Sequence, residues 1–174
     1  MKIKGVTVED FANYKVPSMF IAMPTCNWKC CPKDPSICQN SDLALAETKD
    51  VSNEFLINLY KNNPICKAVV FGGLEPFDSF DEMLTFILEF RKHYQDDIVI
   101  YTGYYIDEIE EYIDKMYDTP NIIIKCGRYI PNQKPHFSKI LGVNLASDNQ
   151  YAFRIEELYN IKNFIMEDYN GNRL

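Results

Sequence analysis

The chain has 174 residues, 47% of them hydrophobic, with 7 Gly, 9 Pro and a formal net charge of -7. That is enough apolar residue for one sizeable core and too regular a composition for a tail or linker. The acidic balance without a basic stripe excludes nucleic acid as the expected partner, and no uninterrupted apolar run approaches the roughly 20 residues of a membrane helix.

The N-terminus lacks the apolar stretch of a signal peptide, so a cytoplasmic protein of a single domain, residues 1–174, is expected. Residues 1–15 are mixed and charged and read as a short strand or a surface arm. Val16 to Met23 is an apolar run that stops at Pro24, as a buried strand does. The loop that follows, 24–40, holds Cys26, Cys30, Cys31 and Cys38, four of the six cysteines of the chain. Residues 41–50 read as connecting chain. Ser52 offers a cap ahead of Phe55, Leu56, Leu59 and Tyr60 at helical spacing, which predicts a helix over 52–62.

Cys66 to Phe71 reads as a buried strand, and Gly72-Gly73-Leu74-Glu75-Pro76 as the turn leaving it. A helix is predicted over 79–94, with Phe80, Met83, Leu84, Ile87, Leu88 and Arg91 on one face and its edge. Ile98 to Tyr101 is the next strand and Thr102-Gly103-Tyr104 its exit. Ile106 to Met116 then forms a helix with Ile109, Tyr112, Ile113 and Met116 inward, and Asn121 to Ile124 is strand again. Later still come a strand within Lys139–Leu145, a polar loop over Ala146–Gln150 and a terminal helix from Ile155 to about 167. Strand and helix alternate with short connections, so the fold class is α/β with parallel βαβ units, whose ligands gather at the carboxyl ends of the strands.

The cysteine loop has three readings. Buried structural thiols fit poorly in a stretch that also holds Pro32, Pro35, Lys29, Lys33 and Asp34. A structural zinc would use four thiolates, yet adjacent Cys30 and Cys31 rarely reach one ion together. The third is an iron-sulfur cluster held by Cys26, Cys30 and Cys38, which leaves one iron without a protein thiolate. In the second element, Gly72 and Gly73 permit close backbone approach and Glu75 offers a carboxylate to a cation, although a Gly-Gly before an acid is also an ordinary tight turn. Cys66 and Cys126 read as small buried residues on or beside strands.

The cysteine loop after one strand and the Gly-Gly-x-Glu turn after the next together resemble the radical S-adenosylmethionine superfamily. Within it the chain looks most like the activating component of anaerobic (class III) ribonucleotide reductase. The resemblance runs from Phe20 to Gln150 and is carried by Cys26-Asn27, Cys38-Gln39-Asn40, Phe71-Gly-Gly-Leu-Glu-Pro76, Ile100-Tyr-Thr-Gly-Tyr104 and Ala146-Ser-Asp-Asn-Gln150. Two departures stand out: seven residues separate the second and third cysteines, and an Asp-Gly of the family is Cys126-Gly127 here. Because Cys38 is followed by Gln-Asn, it matches the family's third cysteine, and Cys31 is the spare.

The resemblance implies a partial (β/α) barrel of mostly parallel strands and a [4Fe-4S] cluster on Cys26, Cys30 and Cys38. It also implies S-adenosyl-L-methionine held by Gly72, Gly73, Glu75, Thr102, Gly103 and Asn149, with Ile37 against the adenine. No catalytic side chain is implied. The partners are a one-electron donor such as flavodoxin and a glycyl radical enzyme such as anaerobic ribonucleotide reductase, with Tyr104, Tyr105 and Tyr129 expected at an exposed docking rim.

Overall fold

In the computed structural model, which describes residues 1–158, the chain runs through β1 (Lys2–Ile3), β2 (Gly5–Asp10), β3 (Ser18–Ala22), α1 (Ser41–Leu45), β4 (Lys49–Asp50), α2 (Asn53–Lys61) and β5 (Ala68–Gly72). It continues through α3 (Phe80–Arg91), β6 (Asp97–Tyr101), α4 (Glu110–Lys115), β7 (Ile122–Cys126), β8 (His136–Ser138), β9 (Val143–Leu145) and β10 (Tyr151–Arg154). Six strands form one sheet in the order β10-β7-β6-β5-β3-β2. The four central strands are parallel, and β2 and β10 close the edges antiparallel. The expected partial barrel thus takes the form of an open, mostly parallel α/β sheet.

The centre of the sheet is apolar without alternation because it is covered on both faces. Met19, Ile21, Val69, Phe71, Ile98, Ile100, Ile122 and Ile124 point towards the helices and join a core with Leu56, Met83, Phe86, Phe90 and Ile113. Ala68, Val70, Val99 and Ile123 point the other way, against Tyr14, Leu141 and Leu145 from the N-terminal arm and the later loops. Asp97 pins that second layer: Tyr14 donates to it at 2.6 Å, and both Arg154 terminal nitrogens donate at 3.0 and 3.1 Å. Burial opposes ionisation of Asp97, but the Arg154 fork and the tyrosine hydroxyl outweigh it and hold the carboxyl below its usual range.

The helix over 52–62 starts as expected, with Ser52 Oγ accepting from Phe55 N–H at 3.1 Å. Residues 41–50, expected as plain connection, instead contain α1 and β4, the latter paired with β1. The helix expected over 106–116 divides into a single turn at Ile106–Glu108 and α4. Within Lys139–Leu145 only Val143–Leu145 is strand, paired with β8, which sequence reading missed along with β10. Of the expected terminal helix, residues 155–158 are helical and the rest lies outside the described residues. No helix among the described residues is long and apolar enough to cross a membrane.

The inner face of α3 is displaced from its expected position. Phe86 and Phe90 are fully buried, whereas Leu88 is 51% exposed. Phe90 stacks on Phe86 and Tyr94 and meets the edge of Tyr60, with ring centroids 4.9 to 5.8 Å apart. Phe90→Ala is therefore expected to cost about 3–5 kcal/mol, read as a lower urea midpoint with an unchanged slope. Leu88→Ala is expected to cost under about 1 kcal/mol, and equal costs would contradict this placement.

Candidate iron-sulfur site

Three chain segments meet at the carboxyl ends of β3, β5 and β6. Pairing of β3 with β5 continues one step, Met23 N–H to Gly72 O, and then Pro24 has no donor to extend it. Glu75 N–H next donates to Thr25 O at 2.9 Å, which sets the start of the cysteine loop beside the glutamate turn. Asn27 adds a second tie: its N–H and side-chain amide donate to the two Asp78 oxygens at 2.7 and 3.1 Å. Tyr104, from the loop after β6, also donates to Asp78. The loop root is therefore fastened to both neighbouring strand exits.

The long spacing between Cys30 and Cys38 is folded up locally. Cys31 N–H donates to Trp28 O, a turn entered through Trp28 at φ 62°, and Asp34 caps a one-turn helix, Pro35–Ile37. That turn brings Cys38 back to the same cavity as Cys26, Cys30 and Cys31. The sulfurs of Cys26 and Cys38 each accept an N–H from two residues ahead, at 3.3 and 3.4 Å, and hydrogen bonds to cysteine sulfurs are among the terms that set cluster potentials. Burial pushes the Cys26 and Cys30 thiols up to about 11. Both are protonated without metal, so loading a metal group displaces protons.

The cavity has a volume of about 330 Å³, within the size range of ligand sites. Its wall also includes Ile37, Gly73, Glu75, Thr102 and Gly103. Among the described residues no three His, Cys, Asp or Glu converge tightly enough for one metal ion; the thiols line a wall. Gly103 is where the fit is closest, since a Cβ there would collide with Cys30 Sγ. Gly73, at φ 77°, is held under Leu43 of α1, where a Cβ would also collide.

Glu75 is 5% exposed. Its Oε1 accepts from Thr102 Oγ1 at 2.6 Å and Phe77 N–H at 3.2 Å, and its Oε2 accepts from Gly103 N–H at 2.9 Å. Burial raises its pKa to about 7, with those three donors opposing the rise.

Two expected site residues lie off the cavity wall. Gly72 faces the Phe20 and Tyr101 side chains, either of which a Cβ would crowd. Asn149 donates to Arg128 O at 2.8 Å, while its buried Oδ1 has no hydrogen-bond partner. The tyrosine rim also differs from expectation: Tyr104 is 5% exposed and serves the Asp78 tie, and Tyr105 and Tyr129 are half-buried. Lys125 and Gln150 line the cavity without having been foreseen. The signal for Lys125 was a lysine following three isoleucines in one strand, hidden by ending that strand at Ile124, and Gln150 closes the polar loop Ala146–Gln150.

A thiol-lined cavity at the ends of parallel strands is a candidate cluster site in an α/β fold. A family model described as a 4Fe-4S single cluster domain matches residues 18–150, and the chain belongs to that family. No curated protein and no solved structure matches the chain.

Proposed function

We propose that the chain is a radical S-adenosylmethionine enzyme of the activating type, with Cys26, Cys30 and Cys38 holding the [4Fe-4S] cluster. The observation that carries this is the meeting of the cysteine loop after β3 with the Glu75 turn after β5 in one cavity. When bound, the reduced cluster and S-adenosylmethionine supply methionine and a 5′-deoxyadenosyl radical, which takes a hydrogen atom from a glycine of a partner such as anaerobic ribonucleotide reductase.

The protein's own part is to bind, orient and keep water out. An ionised carboxylate offers about four acceptor sites. Three on Glu75 are taken, which leaves one for the α-ammonium group of the cofactor. Thr102 and Gly103 hold that carboxylate in place and form the wall beside it. Ile37, 47% exposed at the cavity edge, offers an apolar surface to the adenine. Gly73 supplies close backbone approach, Gly72 the packing behind it, and Asn149 fixes the loop after β7. The open sheet leaves a mouth through which a partner's loop can enter, with Tyr105 and Tyr129 beside it, and a donor such as flavodoxin supplies the electron.

The test is anaerobic reconstitution with iron and sulfide, followed by dithionite and S-adenosylmethionine. Formation of 5′-deoxyadenosine and methionine is expected. A fully loaded cluster that yields neither would leave a cluster-binding module in place of the enzyme.

A further inference from the structure

We propose that the hairpin of β8 and β9 is a docking edge for an extended acidic segment of a partner protein, which adds to β9 as a third strand across the mouth of the cavity. The inference rests on the activating-type reading above and gives the partner's segment a place and a chemistry.

β9 is three residues long and lies at the open edge of a two-stranded sheet. Side chains of a strand alternate between its two faces, and accordingly Leu145 is buried while Asn144 is exposed. Val143, Asn144, Leu145 and Ala146 nevertheless all line the cavity. Four consecutive residues that border one space do so along the backbone edge, not with one side-chain face. Among the described residues the backbone of Val143–Leu145 pairs with β8 alone, so the edge towards the cavity keeps free N–H and C=O groups. Such an edge is a template for another strand.

The charge around the hairpin selects an acidic strand. Between Asp118 and Asp148 the chain carries Lys125, Arg128, Lys134 and Lys139 and no acid, although its net charge is -7. Lys134 and Lys139 are exposed, and neither has an ion pair among the described residues. Gly142 in the hairpin turn sits directly against Lys15, where a Cβ would collide, which sets a third exposed ammonium beside the turn. Lysines also blunt strand edges against self-association. Here they flank β8 and the turn, while β9 itself carries no charge.

The probe is a dye-labelled nine-residue peptide of threonine and glutamate around a central glycine, compared with its counterpart bearing lysine for glutamate. Binding to the anaerobically reconstituted protein is followed by fluorescence anisotropy. Wild type is expected to prefer the glutamate peptide by at least about tenfold. Lys134→Glu combined with Lys139→Glu is expected to remove the preference at unchanged iron content and unchanged 5′-deoxyadenosine formation. Methylating one alternate set of peptide amides, those facing β9, is expected to weaken binding by about tenfold, and methylating the other set to change it little. No preference between the two peptides in wild type, or equal cost from both methylation sets, overturns the docking edge. If the double variant keeps peptide binding but loses reduction by flavodoxin, the lysines serve the electron donor and the proposal falls. Peptide binding does not require cofactor cleavage. Preference for the acidic peptide in protein that forms no 5′-deoxyadenosine supports the docking edge and overturns the radical reading, and the reverse result overturns the docking edge alone.

Discussion

Alanine at Cys26, Cys30 or Cys38 is expected to abolish stable cluster binding, whereas alanine at Cys31 is expected to leave iron and sulfide content close to that of wild type. On the proposed set of three thiolates for a four-iron cube, removal of one leaves two, and the open corner has no protein ligand to compensate. Cys31 lines the same cavity but is buried at 8% exposure, and its thiol is held against Cys38, with burial the main cause of its raised pKa. Iron and sulfide per chain after anaerobic reconstitution, with the visible absorbance of each variant, is the measurement. If Cys31→Ala loses as much iron as Cys38→Ala, Cys31 is a ligand and the cube has no free corner. If Cys38→Ala alone keeps its iron, the two residues exchange roles.

The parallel core was legible because its strands are buried on both faces and so read as unbroken apolar runs. Val-Val-Phe before Gly72 and Ile-Val-Ile before Tyr101 could hardly be anything else. The edges were harder. β10 is short and half-buried, and β2 carries an irregular register between Thr7 and Asp10; neither pattern separates a strand from a loop without knowing what lies beside it. The face of α3 went astray because Leu84, Leu88 and Arg91 match the helical period as well as Phe86 and Phe90 do. Tertiary packing chose the aromatic set.

For the site, the cysteine loop carried its own signal, since dense thiols in a turn-rich loop are unusual in sequence, whereas Glu75 after paired glycines gained meaning only when taken together with that loop. What joins them was not visible. The Asp78 tie to Asn27 and Tyr104 uses two polar side chains that read alone as solvent-facing and a tyrosine that reads alone as part of a docking rim. Tyr104 left the supposed rim for that reason: a tyrosine whose hydroxyl has a carboxylate partner gains more from holding the loop than from facing solvent.

Glu75→Gln is expected to weaken S-adenosylmethionine binding by about tenfold, because the α-ammonium exchanges a carboxylate for a neutral amide oxygen, a loss of roughly 1–1.5 kcal/mol. The pH dependence gives a sharper reading. With its pKa raised from 4.5 to about 7 by burial, Glu75 in the folded protein binds more protons than in the unfolded chain between those values. Its contribution to stability therefore falls as pH rises through that window. An ammonium placed beside it favours the ionised form and reverses the shift, so ligand binding below pH 7 must expel a proton. Below the folded pKa that release should amount to most of a proton per ligand bound, and it should vanish well above it. Calorimetry in buffers of different ionisation enthalpy measures it directly. Glu75→Gln should show none of this release at pH 6. Equal release from wild type and variant would mean that the proton comes from elsewhere and that Glu75 does not meet the ammonium.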